Sequence, residues 1–206
     1  MLIKYRLLLL LVFLSHFILS AQVKYENDSI IIWNKQRKIN WDDFKSETKS
    51  DVLTYQEALA YISLSIKFYP KEISCETLAN VKIVAVMNKM KSWVGVKTED
   101  KDGGLNHEQT HFNIAELYAR KIRKEISDYL IDNKCNMQNV AEIYHKLSRE
   151  HLKVQYLYDK EVRMCDDESV ILCFNLEKQK EWDFKIAKEL EELKDYELLI
   201  ISTKED

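Results

Sequence analysis

Hydrophobic residues in the front third of the chain follow the two-residue alternation of β-strands. An apolar, β-branched run extends from Ser29 to Trp33, and alternating patterns extend from Ala58 to Tyr69 and from Val81 to Met87. Side chains of a strand point to opposite faces in turn, so each pattern is typical of a strand with one buried face. The sequence therefore predicts three strands before its midpoint.

Three amphipathic helices are predicted after these strands, because apolar residues there recur at intervals of three and four. The first helix is expected to start at the capping-box pair Asn106 and Gln109, after a glycine-containing turn at residues 102–104. The other two are expected to cover residues 138–159 and 177–193. Strands followed by helices indicate an α+β fold.

The first predicted helix carries the run His107-Glu108-Gln109-Thr110-His111. Two imidazoles four residues apart lie on one face of a helix, about one turn from each other, and can bind the same zinc ion. Glu108 then lies beside the metal-bound water and is the expected catalytic base. The competing interpretation is a solvated histidine pair next to an ordinary surface carboxylate. The long amphipathic helix favours the zinc site.

The N-terminal segment has the pattern of an export signal. A short basic region precedes the apolar run Leu7 to Leu19, and Ser20-Ala21 has the composition of a cleavage site. Residues 1–21 are therefore predicted to be a signal peptide, and residues 22–206 a single domain that is periplasmic or secreted. The apolar run is short for a stable membrane span, so no such span is expected after cleavage.

Charge and cysteine content narrow the expected partners and compartment. The formal net charge of -3 moves to about -5 when the signal segment is removed, so nucleic acid is not an expected partner. Four cysteines would then lie in an oxidising compartment, where disulfides persist and three pairings are possible. Cys165 and Cys173 are expected to pair, because they are near in sequence and flank a strand-like segment.

Several motifs together resemble a bacterial family of unknown function that is described as zinc-dependent proteases. The resemblance implies a zincin-like fold, with an N-terminal sheet, an active-site helix and further helices, and a peptide or protein substrate. Endopeptidase activity is expected rather than exopeptidase activity. The similarity covers about residues 33–193, and the matching segments are Trp41-Asp42-Asp43-Phe44, Lys91-Ser92-Trp93-Val94, His107 to Glu116, Gln155, Tyr158-Asp159-Lys160-Glu161 and Glu177 to Trp182.

The third zinc ligand is where the chain departs from the family pattern. In the family, Tyr-Asp-x-Glu is followed at once by Thr and shortly by His, whereas Val162 here begins an insertion without histidine that extends to Phe174. A catalytic zinc ion usually has three protein ligands. The stretch from Glu150 to Glu161 is expected to supply the third, with Asp159 or Glu161 favoured because they lie in the motif-like segment. Other candidates are Glu142, His145, Glu150, His151 and Cys165.

Two functions are consistent with these residues. The favoured hypothesis is an exported zinc metallopeptidase in which His107 and His111 bind Zn²⁺ and Glu108 acts as general base. The alternative is a non-catalytic, exported, zincin-like binding module whose zinc site is incomplete. For the enzyme, the resemblance to zincins implies that the strand that ends near Met87 pairs with an extended substrate by strand addition.

Overall fold

A computed structural model describes residues 26–47, 58–67, 72–94, 101–163 and 175–198. These residues form the strands β1 (Ile30–Ile32), β2 (Ala58–Lys67) and β3 (Lys82–Val94), and the helices α1 (Lys101–Asp132), α2 (Met137–Val162) and α3 (Leu176–Glu192). Short 3₁₀ helices cover Trp41–Asp43, Leu78–Asn80 and Lys194–Tyr196. The predicted α+β class is confirmed.

The predicted signal peptide and nearly all of the predicted insertion lie outside the described residues. Within the described ranges, no helix is both long and apolar enough to cross a membrane.

The strands form one antiparallel sheet in the order β1-β3-β2. Met87 of β3 has a partner on both sides, Ile31 on β1 and Ile62 on β2. Backbone groups of a strand that is paired on both sides are already used in the two ladders. The expectation that this strand pairs with a substrate is therefore wrong. Of the described strands, β2 is an edge strand next to α1.

Helix α1 begins earlier than its sequence predicts. It starts at Lys101 and includes Gly103 and Gly104, so the predicted turn at residues 102–104 is wrong. Gly104 is buried against the ring of Trp41, whose Cη2 atom lies 3.5 Å from the place of a Cβ atom. Packing against a distant aromatic ring offsets the roughly 1 kcal/mol by which glycine disfavours a helix.

Asn106 and Gln109 do not form the predicted capping box, because both lie inside α1 and bind other elements. The Asn106 side chain donates to Asp183 of α3 at 2.8 Å. The Gln109 carboxamide accepts a 2.9 Å hydrogen bond from the backbone N–H of Ile39. These two polar side chains therefore join α1 to α3 and to the segment after β1.

Helix α1 is the centre of the fold, since it packs against β2, β3, α2 and α3. Apolar residues on several sides of it are almost completely buried: Phe112, Ile114, Ala115, Leu117, Ala119 and Ile122. A helix that is hydrophobic around most of its circumference lies in a protein core. The His-Glu-x-x-His segment thus lies on a helix that is packed against other elements on several sides.

A group of charged side chains joins the N-terminal segment to β3. Asp43 is 3% exposed and accepts hydrogen bonds from the backbone of Asn40 at 2.8 Å and from Arg37 at 2.6 Å. Arg37 also donates to Glu26 at 2.9 Å, and Lys89 of β3 forms an ion pair with Glu26. Each charge in this group has an opposite partner, as buried charges require.

One disulfide bond joins Cys75, ahead of β3, to Cys135, between α1 and α2. Cys165 and Cys173, which are predicted to pair with each other, lie outside the described residues. Their pairing stays a prediction. It is the one of the three possible pairings that is compatible with the Cys75–Cys135 bond.

Candidate metal centre

Three side chains of metal-ligand type meet where α1 packs against α2. His107 and His111 lie one turn apart on α1, and Asp159 lies opposite them on α2. The two histidine Nε2 atoms are 3.1 Å apart, and each is 3.1 Å from Asp159 Oδ1. Two helices thus bring three ligand atoms into an equal-sided triangle.

This triangle has the dimensions of a metal site. Zinc ligands lie about 2.0 to 2.1 Å from the ion, which puts neighbouring ligand atoms of a tetrahedral site about 3.3 Å apart. The observed 3.1 Å edges are close to this spacing, so the three atoms correspond to one face of a tetrahedron. The Asp159 side chain is 33% exposed, which leaves the group accessible from solvent. His107, His111 and Asp159 can therefore hold a metal ion.

Charges within the group favour the protonation states of a ligand set. The pKa of His107 is lowered to about 4, chiefly by burial and also by the positive charges of His111 and Arg163, which together outweigh the opposite effect of Asp159. Burial would raise the pKa of Asp159, but hydrogen bonds from both histidines hold it well below its usual value. At neutral pH, His107 is therefore neutral and Asp159 ionised, as metal ligation requires.

His111 responds differently to the same surroundings. Burial would lower its pKa, but the hydrogen bond to Asp159 and the negative charge of Glu108 outweigh burial, so the net pKa is raised. Two carboxylates close to one imidazole stabilise a positive charge at this point. A metal cation that binds here therefore competes with a proton for His111.

Glu108 is 3% exposed and is bound to the edge strand. Its Oε2 atom accepts a 2.9 Å hydrogen bond from the backbone N–H of Ala60 on β2. Burial raises the pKa of Glu108, and the positive charge of His111 and the Ala60 hydrogen bond oppose this only in part. A carboxyl group with a raised pKa can take up and release a proton closer to neutral pH than an exposed one.

Side chains of α2 and α3 contact residues 107–111 of α1, and their role was not predicted from the sequence. The Tyr158 ring stacks on His107 with 4.7 Å between ring centroids, and its hydroxyl donates to Gln179 of α3 at 2.6 Å. Gln179 and Thr110 both donate to Asp183, at 2.8 and 2.6 Å. The sequence feature that could have identified Tyr158 and Gln179 is their location in segments that resemble the family.

Glu161, one of the two favoured candidates for the third ligand, does not join the group. It is exposed, and its carboxylate accepts a 2.9 Å hydrogen bond from Trp182 of α3. Asp159 and Glu161 are two positions apart, about 200° around the helix, so both cannot face α1. In the part of the chain that the structure describes, the remaining candidates are also outside the group: Glu142, His145, Glu150 and His151.

Arg163 directly follows α2 and lies close to Asp159. Its Nη2 atom is 3.2 Å from Asp159 Oδ1, the same atom that contacts both histidines. The guanidinium charge contributes to the low pKa of Asp159. Carboxylates that bind metals are commonly hydrogen-bonded by such outer partners.

Comparison of the chain with protein-family models, with curated proteins and with solved structures gives no significant match. Function is therefore inferred from the geometry of His107, Glu108, His111 and Asp159.

Proposed function

We propose that the protein is an exported, zincin-like metallopeptidase that binds zinc and hydrolyses peptide bonds. The observation that carries this proposal is the equal-sided triangle of His107, His111 and Asp159 next to the buried carboxylate of Glu108. Three protein ligands with an open fourth position are typical of catalytic zinc, whereas structural zinc sites have four protein ligands. An endopeptidase that acts on peptide or protein substrates fits this site.

Zinc is the proposed metal because a carboxylate, that of Glu108, lies beside the ligands. When bound, a zinc ion lowers the pKa of a water ligand and polarises a carbonyl group. Two histidines and one carboxylate also bind iron(II) in non-haem oxygenases, so the ligand set alone does not identify the metal. Glu108 follows His107 directly and supplies a base, which hydrolysis needs. This residue favours zinc and hydrolysis.

Glu108 acts as the general base in the proposed reaction. Its Oε2 atom is held by the Ala60 N–H, so Oε1 is the oxygen that takes a proton from the attacking water. The same carboxyl group then gives the proton to the leaving amine. Burial of Glu108 supports both steps, because a raised pKa makes the protonated form accessible.

An extended substrate is proposed to lie along β2. This strand is at the edge of the described sheet, and Ala60 connects it to Glu108. Edge strands present unpaired backbone groups to which an extended peptide can add as a further strand. The preference would be for unfolded or extended segments.

The alternative, a non-catalytic module, arises from the missing histidine after Glu161. Asp159 supplies a third ligand-type atom at the same distance from both histidines, which removes the main reason for an incomplete site. The geometry therefore favours the enzyme over the binding module.

Metal analysis of the purified protein tests the proposal. Elemental analysis should find about one zinc per chain and no stoichiometric iron, and His107→Ala and His111→Ala should each abolish the zinc. His145→Ala is the matched control, because His145 is an exposed histidine of α2. Undiminished zinc in both His107 and His111 variants would refute the site. Stoichiometric iron in place of zinc would refute the hydrolytic assignment.

A further inference from the structure

Two side chains of α2, Gln155 and His151, lie behind His111, on the side of its ring away from Asp159. The Gln155 Oε1 atom is 2.5 Å from His111 Nδ1. The Gln155 Nε2 atom donates to the His111 backbone carbonyl at 3.0 Å and is 2.8 Å from His151 Nε2. His151 is 4% exposed. All polar atoms of the Gln155 carboxamide therefore have partners.

The backbone carbonyl of His111 determines how the Gln155 carboxamide is oriented. A carbonyl oxygen only accepts hydrogen bonds, so the carboxamide atom beside it must be the NH₂ group. The carboxamide oxygen must then face His111 Nδ1, and since this oxygen also only accepts, Nδ1 must carry the hydrogen.

When a metal cation displaces the proton that His111 shares with Asp159 on Nε2, this hydrogen position leaves the Nε2 lone pair to the metal. A neutral imidazole with hydrogen on Nδ1 has its lone pair on Nε2. His111 Nε2 is the atom that lies 3.1 Å from His107 Nε2 and from Asp159 Oδ1. The contact with Gln155 on one side of the ring therefore sets the chemistry on the other side.

We propose that Gln155, supported by His151, is a positioning residue that fixes the tautomer and ring orientation of His111 for metal binding. The inference rests on the proposed metal site. Gln155 and Asp159 are one turn apart on α2 and contact opposite sides of the same imidazole. His151, one turn further back, accepts the second amide hydrogen and prevents the carboxamide from rotating. Three residues of α2 at intervals of four thus have complementary roles: Asp159 is a ligand, and Gln155 and His151 position His111.

Substitutions at Gln155 separate this role from simple packing. Gln155→Leu removes the acceptor, so the hydrogen can move to His111 Nε2, and zinc affinity should fall by about 10- to 100-fold. Gln155→Glu keeps an oxygen that accepts from His111 Nδ1 but loses the NH₂ group that donates to the His111 carbonyl and to His151, so its zinc affinity should lie between those of the wild type and Gln155→Leu. His151→Phe retains a ring but removes the atom that accepts from Gln155. Because Gln155 can still contact His111 directly, zinc affinity should fall less in His151→Phe than in Gln155→Leu. Gln138→Leu, an exposed glutamine of the same helix, is the matched control.

Zinc affinity is measured by competition with a chromogenic chelator, and thermal melting checks that each variant is folded. Nitrogen-15 NMR of histidine-labelled, metal-free protein, at a pH well above the pKa of His111, reports the tautomer directly. We expect hydrogen on Nδ1 of His111 in the wild type and in Gln155→Glu, and a shift toward Nε2–H in Gln155→Leu.

Equal zinc affinity of the wild type and Gln155→Leu would overturn the inference, as would a wild-type His111 with its hydrogen on Nε2. A wild type that binds neither zinc nor iron would instead refute the proposed function, while the NMR tautomers would still decide the role of Gln155. If Gln155→Leu does not fold, the wild-type tautomer and the Gln155→Glu variant decide it.

Discussion

The carboxylate of Glu108 accepts a 2.9 Å hydrogen bond from the backbone N–H of Ala60, which joins the central helix to the edge strand at the proposed catalytic base. Leu59 pairs with Trp93 whereas Tyr61 pairs with Asn88, so the register between β2 and β3 shifts at Ala60. A register irregularity of this kind interrupts the regular ladder of hydrogen bonds. The N–H group of Ala60 is used to hold Glu108 instead.

Replacing Glu108 by Gln should separate catalysis from metal binding. The Gln carboxamide oxygen can still accept from Ala60, so the fold and zinc content should be retained, whereas loss of the base should lower kcat/KM by about 10²- to 10⁴-fold. Peptidase assays with an unfolded protein substrate, together with elemental analysis, measure both effects. Glu142→Gln, at an exposed position of α2, is the control. Equal activity of Glu108→Gln and wild type would exclude the mechanism.

The order of strands and helices could be predicted from local spacing, but the start of α1 could not. The local sequence around Gly103 and Gly104 predicts a turn, because glycine disfavours helices. Their helical conformation depends on a contact with Trp41, which is distant in sequence. Local propensity contains no information on such a contact.

The histidine pair could also be predicted, because its geometry is internal to one helix. The third ligand depends on how two helices pack. Buried residues of α2 such as His151, Tyr158 and Val162 form one stripe, and Asp159 and Glu161 lie about 80° to either side of it. Asp159 faces α1 and Glu161 faces Trp182 of α3. The stripe alone does not say on which side each neighbour packs.

This geometry predicts opposite outcomes for two substitutions on the same helix. Asp159→Ala should weaken zinc binding by more than about 100-fold, beyond the range typical of outer partners, because it removes a ligand. Glu161→Ala should leave the affinity nearly unchanged, since this side chain binds Trp182. Chelator competition measures both. A loss of affinity in Glu161→Ala alone would reverse the assignment of the third ligand.

Acid should destabilise the protein partly through Glu26. The pKa of Glu26 is lowered from 4.5 to about 2, chiefly by its hydrogen bond with Arg37 and also by Lys89. Burial acts in the opposite direction but is outweighed. Since the folded pKa is below the unfolded value, the ionised carboxylate stabilises the fold above pH 4.5, and this stabilisation is lost as the pH falls from 4.5 toward about 2.

Urea denaturation at a series of pH values measures this loss. Glu26→Gln should be less stable than the wild type at neutral pH, and the difference should shrink between pH 4.5 and about 2. Glu192→Gln, at an exposed position of α3, should show no such convergence. A constant difference between Glu26→Gln and wild type across this range would contradict the assignment.

The Cys75–Cys135 bond should contribute to stability through the unfolded state. The two cysteines are 60 residues apart in sequence, so the bond restricts a long loop of the unfolded chain. A cross-link of this kind typically stabilises by about 2–4 kcal/mol. The double variant Cys75→Ser/Cys135→Ser should lose free energy of unfolding in this range, measured by urea denaturation without reductant. Zinc content should be retained, because Cys135 follows the C-terminal end of α1 and His107 lies near its N-terminal end.

A reductant separates this bond from the predicted Cys165–Cys173 pair. Reductant added to the wild type should lower stability at least as much as the double substitution does, since it breaks the Cys75–Cys135 bond. Any further loss when reductant is added to the double variant reports on the remaining cysteines. Equal free energies of unfolding for oxidised wild type and the double variant would show that the Cys75–Cys135 bond does not stabilise the fold.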